Sequence, residues 1–123
     1  MMLSCARLIR ERSGPSPAMR YLRQSEKVRD HIVAHLFEDL TIEQIARAVA
    51  ASVSSVQRHF KAVFGVSVFE FIRMKRLEAA SDALRRRGIS IAEAAHLAGY
   101  SDSAHFSTAF KKAYGVSPSQ VRT

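Results

Sequence analysis

Ser54, Gln57, Arg58 and Lys61 are the residues of this 123-residue chain whose types and spacing best fit the reading of a nucleic acid. A glutamine amide matches the donor and acceptor of adenine's major-groove edge, and an arginine fork matches guanine. Serine and lysine reach base edges or phosphate. Val56 and Phe60, at i and i+4, form the inward stripe of a helix, and the four polar residues fall on its outward side. Any solvent-facing helix is polar, so the face alone leaves its use open.

The stretch that positions these residues is Thr41 to Gly65, TIEQIARAVAASVSSVQRHFKAVFG. Thr41 with Gln44 makes a capping box for a first short helix. Ile42, Ile45, Ala46 and Val49 line its apolar stripe. A turn through Ala50 and Ala51 follows, and Ser52 caps a second helix that buries Val56, Phe60 and Val63 or Phe64. Gly65 suits the left-handed residue that ends it. A helix, a short turn and a helix make the helix-turn-helix plan, whose second helix enters the major groove of DNA. Other helical hairpins share these caps and stripes.

The plan occurs twice. Ser90 to Gly115, SIAEAAHLAGYSDSAHFSTAFKKAYG, matches the first copy at an offset of 49 from Thr41/Ser90 to Ser52/Ser101. From Val56/Phe106 to Gly65/Gly115 the offset is 50. The second copy therefore holds one extra residue in its turn. Its capping box is Ser90 with Glu93, its turn residue is Gly99, and Phe106, Phe110 and Ala113 are expected inside. A repeat of this length marks one supersecondary unit used twice.

Between the copies, residues 68–87 read as one long helix with Phe71, Ile72, Met74, Leu77, Ala80 and Leu84 on its buried side. Arg85, Arg86 and Arg87 sit in its last turn, where they meet the negative end of the helix dipole. About 20 residues make a rod of about 30 Å. That is close to the ~34 Å between successive major grooves, so one chain can present two readers without dimerising. Before the first copy, Val28, Ile32 and Leu36 predict a helix from Ser25 to about Phe37. After the second copy, Ser117 and Gln120 frame a short helix opened by Pro118, which covers the second copy through Val121.

Composition narrows the class. Net charge is +8 with 47% apolar residues, and no apolar run is long enough for a membrane span. Five arginines against Glu11 make residues 1–24 basic, and Ser13-Gly14-Pro15-Ser16-Pro17 is a breaker cluster; this segment reads as a flexible arm or linker remnant. Cys5 is the single cysteine, so there is no disulfide framework, and a reducing cytoplasm fits. His31 and His35 have a zinc-compatible spacing but lack a third ligand, and a solvated face explains them better. No metal, cofactor or catalytic residue is expected.

Residues 25–122 resemble the DNA-binding domain of the AraC/XylS family of bacterial transcription regulators. The resemblance rests on LTIEQIA, the S-x-x-x-V-x-R-x-F-K-x-x-F-G run from Ser52 to Gly65, FIRMKRLEAASDAL, and ISIAEAAHLAGYSDSAHFSTAFKKAYGVSPSQVR. It implies an all-α fold of about seven helices. Two helix-turn-helix subdomains, 41–65 and 90–115, are joined by the 68–87 linker helix within a domain spanning 25–123. Ser54, Gln57 and Arg58 match base-reading positions of the first unit. Ala104, His105, Ser107 and Thr108 occupy the corresponding stretch of the second. Ser52, Lys61, Ser103 and Lys111 are the phosphate candidates, and Arg76 matches a commonly basic linker-helix position. Ala50 stands where the family often has a turn glycine, Val121 where an aromatic residue is usual, and Thr108 where arginine is common.

The implied function is promoter binding to double-stranded DNA, reading two successive grooves through helices 52–64 and 103–114. A monomer suffices for this, RNA polymerase is a further partner, and no membrane is involved. The larger members carry an effector-sensing domain, so the chain resembles small stand-alone members or a fragment. The alternative is a helical protein-interaction module without specific DNA reading, against which Gln57, Arg58 and Lys61 argue. A DNA-repair enzyme lacks its nucleophile or metal set here.

Overall fold

The computed structural model describes residues 16–123. Among these it contains seven α-helices and no strand: α1 (Pro17–Ala34), α2 (Ile42–Ala48), α3 (Val53–Phe64), α4 (Val68–Arg87), α5 (Ile91–Leu97), α6 (Ser103–Tyr114) and α7 (Pro118–Val121). They form two compact units. The first holds α1, α2 and α3; the second holds α4 beyond Val68, α5, α6 and α7, together with residues 35–39.

In the first unit α1 packs on both α2 and α3. Val28 and Ile32 from α1, Ile42, Ile45 and Ala46 from α2, and Val56 and Phe60 from α3 are buried. Full burial of a side chain such as Phe60 contributes about 1.5–3 kcal/mol. Removing its ring in Phe60→Ala would cost about 3–5 kcal/mol through the cavity left behind. The Phe60 and Phe64 rings meet at 4.8 Å, one turn apart.

Helix α1 differs from the sequence expectation of Ser25 to Phe37: it starts at Pro17 and ends at Ala34. Pro17 is no breaker here, because the first helical position needs no backbone donor. Ser16 supplies the cap, its Oγ accepting from the Met19 N–H at 3.3 Å and its carbonyl from the Arg20 N–H at 3.0 Å. Residues 17–24 are therefore helix rather than arm. The remainder of the expected basic arm, with Cys5, lies outside the described residues.

In the second unit Leu77, Ala80 and Leu84 from α4 meet Ala94 and Ala95 from α5, Ala98, and Phe106 and Phe110 from α6 in one buried cluster. Tyr100 and Val121 pack against its edge. Val121 thus covers the second repeat as expected. Met74 and Ala113, both expected inside, are exposed, Met74 at 51%. Leu77 and Phe110 already occupy the inward stripes of their helices. Arg76 donates from Nε to the Leu36 carbonyl at 2.8 Å and from Nη2 to the Glu38 carbonyl at 3.0 Å. This fixes the 35–39 segment on α4. Arg122 closes the other end of α4, donating from Nε to the Ile89 carbonyl at 2.7 Å and from Nη2 to the Gly88 carbonyl at 3.1 Å.

Candidate nucleic-acid interface

Each unit presents one twelve-residue helix built to the same pattern. In the first, the Ser52 Oγ accepts from the Ser55 N–H at 3.1 Å and opens α3. Gly65, at φ 78°, ends it by donating to the Lys61 carbonyl at 2.8 Å. In the second, the cap is Asp102, whose Oδ1 accepts from the His105 N–H at 2.8 Å; Gly115, again at φ 78°, donates to the Lys111 carbonyl at 2.7 Å. The sequence alignment paired Ser52 with Ser101. The structure moves the cap one residue on, so the extra residue of the second copy lies before the cap and both helices keep equal length.

The capping boxes of the leading helices form as expected. The Thr41 Oγ1 accepts from the Gln44 N–H at 3.2 Å, and Ser90 and Glu93 exchange the same pair of bonds at 3.0 and 3.1 Å. The Glu93 carboxyl is held below its ordinary pKa, first by the Ser90 N–H and then by the Ser90 hydroxyl. The turns also match. Ala50 at φ 54° and Gly99 at φ 86° both take the left-handed conformation that lets the second helix leave at an angle. Ala50 does so without the freedom of glycine.

On α3 the candidate residues Ser54, Gln57, Arg58 and Lys61, with the capping Ser52, are all exposed. Val56 and Phe60 beneath them are 1% and 0% exposed. One face is thus free for contact and the other fixed in the core. On α6, Ala104, His105, Thr108 and Lys111 are exposed, and Ser103 and Ser107 are half-buried. Two of these side chains are already engaged. The Thr108 hydroxyl donates to the Ala104 carbonyl at 3.0 Å, and the His105 Nδ1 lies 2.6 Å from the Asp102 Oδ2. The Asp102 carboxyl is held below its ordinary pKa by the His105 N–H first and the His105 ring second.

Sequence reasoning missed His59. It lies on the inner side of α3, only 8% exposed, with Nδ1 donating to the Gln24 Oε1 at 3.0 Å and its ring stacked on Tyr21. A signal was present: His59 adjoins Phe60 and stands three residues after Val56, a spacing that faces it inward. The arginine run at the end of α4 is exposed, with Arg86 on Asp82 at 3.0 Å and Arg85 Nε on the Ser81 Oγ at 3.3 Å. His35 pairs with Glu38 at 2.8 Å. Among the described residues, no group of three or more His, Cys, Asp or Glu is arranged to hold a metal, and no helix is long and apolar enough to cross a membrane.

Two capped helix-turn-helix units in one all-α chain define the class of protein. The "Helix-turn-helix domain" family matches residues 45–123, and the chain belongs to this AraC-type helix-turn-helix family. It is similar to the xylose operon regulatory protein of Escherichia coli K12, at 30% identity over 105 residues. That match takes in 85% of this chain and 24% of the regulator, so the chain spans about a quarter of that relative's length. Among solved structures, it is similar to the C-terminal domain of AraT, a response regulator from Geobacillus stearothermophilus: 36% identity, TM-score 0.64, covering 87% of this chain and 84% of that one. A transcriptional regulator with an AraC-type DNA-binding domain from Chromobacterium violaceum shares the fold at TM-score 0.77 and 24% identity, covering 82% and 90% of the two chains.

Proposed function

We propose that this chain is a sequence-specific double-stranded DNA-binding transcription regulator, reading two successive major grooves through α3 and α6. The observation that carries the reading is the outward face of α3. Gln57 and Arg58, the two multidentate base readers, stand exposed beside Ser54 and Lys61 over a buried Val56–Phe60 stripe. Ser52, Lys61, Ser103 and Lys111 supply phosphate contacts that set the register, and the +8 charge draws the chain to DNA. Ala104, His105, Ser107 and Thr108 form the reading face of the second unit. On this reading a monomer suffices for both grooves, RNA polymerase is the protein partner, and the protein works in the cytoplasm.

The test is a binding titration at several salt concentrations on duplexes selected from a random pool and on scrambled versions of them. Affinity should favour the selected duplexes, and log affinity should fall against log salt by about 0.9 per phosphate neutralised. Equal affinity for both sets would leave only nonspecific charge attraction and end the regulator reading.

A further inference from the structure

We infer that Asp102 positions His105 as a pH-dependent base reader, so that one base of the second unit's site changes preference with pH. The inference rests on the reading of α6 as a DNA-facing helix. It starts from the 2.6 Å contact between the His105 Nδ1 and the Asp102 Oδ2. An ionised carboxylate only accepts hydrogen bonds, so the proton of this contact is carried by Nδ1. The same carboxylate accepts the His105 N–H at 2.8 Å through its other oxygen, which fixes the acid and the ring together at the helix start. The His105 side chain is 79% exposed. Its remaining nitrogen, Nε2, is free to meet a ligand.

Neutral His105 then presents Nε2 as an acceptor, and the imidazolium presents it as a donor. The major-groove edges of adenine and cytosine carry amino donors, whereas guanine offers only N7 and O6 acceptors. The neutral ring therefore favours adenine or cytosine at the base it meets, and the charged ring favours the acceptor edges of guanine or thymine. Histidine side chains change charge between about pH 5 and pH 8, so both states are accessible to experiment. Thr108 does not supply the pH dependence, because its hydroxyl hydrogen is given to the Ala104 carbonyl and the acceptor capacity that remains is the same at both pH values.

Several charged groups of the surrounding elements are bonded elsewhere, and Glu70 and Arg73 of α4 line a groove together with Ala109 and Lys112 of α6. On α6, Lys111 and Lys112 lie in the last turn, away from His105. On α5, Glu93 is bonded to Ser90 with Arg87 and Arg122 near it, and His96 is exposed in the last turn. On α4, Glu78 and Arg85 act on Tyr114 at the far end of α6. Arg122, after α7, is bound to the Gly88 and Ile89 carbonyls. Asp102 is the charged group bonded to His105.

The experiment measures every single-base variant of a selected duplex against the whole chain at about pH 5.5 and about pH 8, within the range where histidine titrates. Wild type, His105→Ala and Asp102→Asn are compared, and preferences are taken as ratios so that general charge effects cancel. Asparagine caps helices as well as aspartate, so the second variant keeps α6 started. At one base the ratio of guanine to adenine or cytosine should rise about five- to tenfold on acidification, the low end of what a base contact discriminates. His105→Ala should abolish the change. Asp102→Asn, with an amide that fixes neither tautomer nor charge, should shrink it. The Arg58-dependent bases should keep their preference in all three proteins.

A wild-type profile identical at both pH values, with the Arg58-dependent bases still selective, overturns the inference alone. So does a pH response that survives in His105→Ala, and one that Asp102→Asn leaves untouched overturns the positioning role of Asp102. A profile flat at every base overturns the DNA-reading proposal as well.

Discussion

The Tyr21 ring stacks on the His59 ring with centroids 3.7 Å apart and planes inclined by 20°. The contact ties the early turns of α1 to the inner side of α3, the helix whose outer side carries Gln57 and Arg58. Gln24 adds its 3.0 Å hydrogen bond to the same imidazole. Tyr21→Ala should lower the stability of the first unit by about 1–2 kcal/mol, from lost stacking and apolar burial. Deleting residues 1–24 should cost more, since Gln24 goes too and the His59 Nδ1 keeps only its longer 3.5 Å contact with the Ser55 Oγ. Urea unfolding followed by circular dichroism measures both, and a deletion that melts like the intact chain would show that this contact contributes nothing.

Arg58 and Thr108 hold equivalent places on α3 and α6, yet their side chains differ in what they can offer. Arg58 is long, forked and exposed, whereas the Thr108 hydroxyl is bonded to its own helix. Arg58→Ala should relax preference at one or two bases by about 1–3 kcal/mol. Thr108→Ala should leave the base profile nearly as it was. The check is affinity for all single-base variants of a selected site; a uniform loss across variants for Arg58→Ala would make it a phosphate clamp.

The two turns invite opposite exchanges. Ala50 occupies the left-handed region at φ 54°, where a Cβ is disfavoured, and Gly99 occupies it at φ 86°. Ala50→Gly should stabilise by about 0.5–1 kcal/mol once glycine's larger unfolded-state entropy is subtracted. Gly99→Ala should destabilise by about 1 kcal/mol from the backbone alone. Its new Cβ would sit 3.4 Å from the Arg76 Nη1, ordinary contact, so no clash adds to the cost. Thermal melts of the two variants should move in opposite directions.

Acid should loosen the second unit through its caps. Asp102 and Glu93 both have folded-state pKa values below the ordinary ones. Their stabilisation is therefore complete above the ordinary carboxylate range and is lost as pH falls through the lowered values, below about pH 4. Melting temperature should decline there. Glu93→Gln, which keeps the box without the titration, should flatten the decline, and an identical acid profile for this variant would remove Glu93 as a cause.

The architecture was legible where local chemistry repeats. Thr41, Gln44, Ser52 and Gly65, with their counterparts Ser90, Glu93 and Gly115, mark helix ends by hydrogen-bonding rules that act within four residues. The linker helix follows from one periodic run ending at Gly88. Legibility failed where the partner is distant in sequence. Nothing near Tyr21 announces His59, so α1 was expected to begin too late. Nothing near Arg76 announces the Leu36 and Glu38 carbonyls, so a structural arginine read only as a commonly basic position. Of the interface, sequence spacing named exposed side chains correctly on α3 but could not foresee that His105 and Thr108 are engaged within α6. The Asp102–His105 contact depended on where the extra turn residue went, and the offset alone left that open.

The end of α4 is also where the chain returns to itself. The Thr123 N–H donates to the Leu84 carbonyl at 3.1 Å, its hydroxyl donates to the Arg85 carbonyl, and Arg122 takes those of Gly88 and Ile89. Two stretches about 35 positions apart thus share hydrogen bonds across a partly buried Val121 and Ile89. In amide-exchange terms they form one cooperative opening unit. The Thr123 amide should exchange at the pace of the residues closing α4 rather than at that of a fraying tail, and breaking the Arg122 contacts should speed exchange in both stretches together.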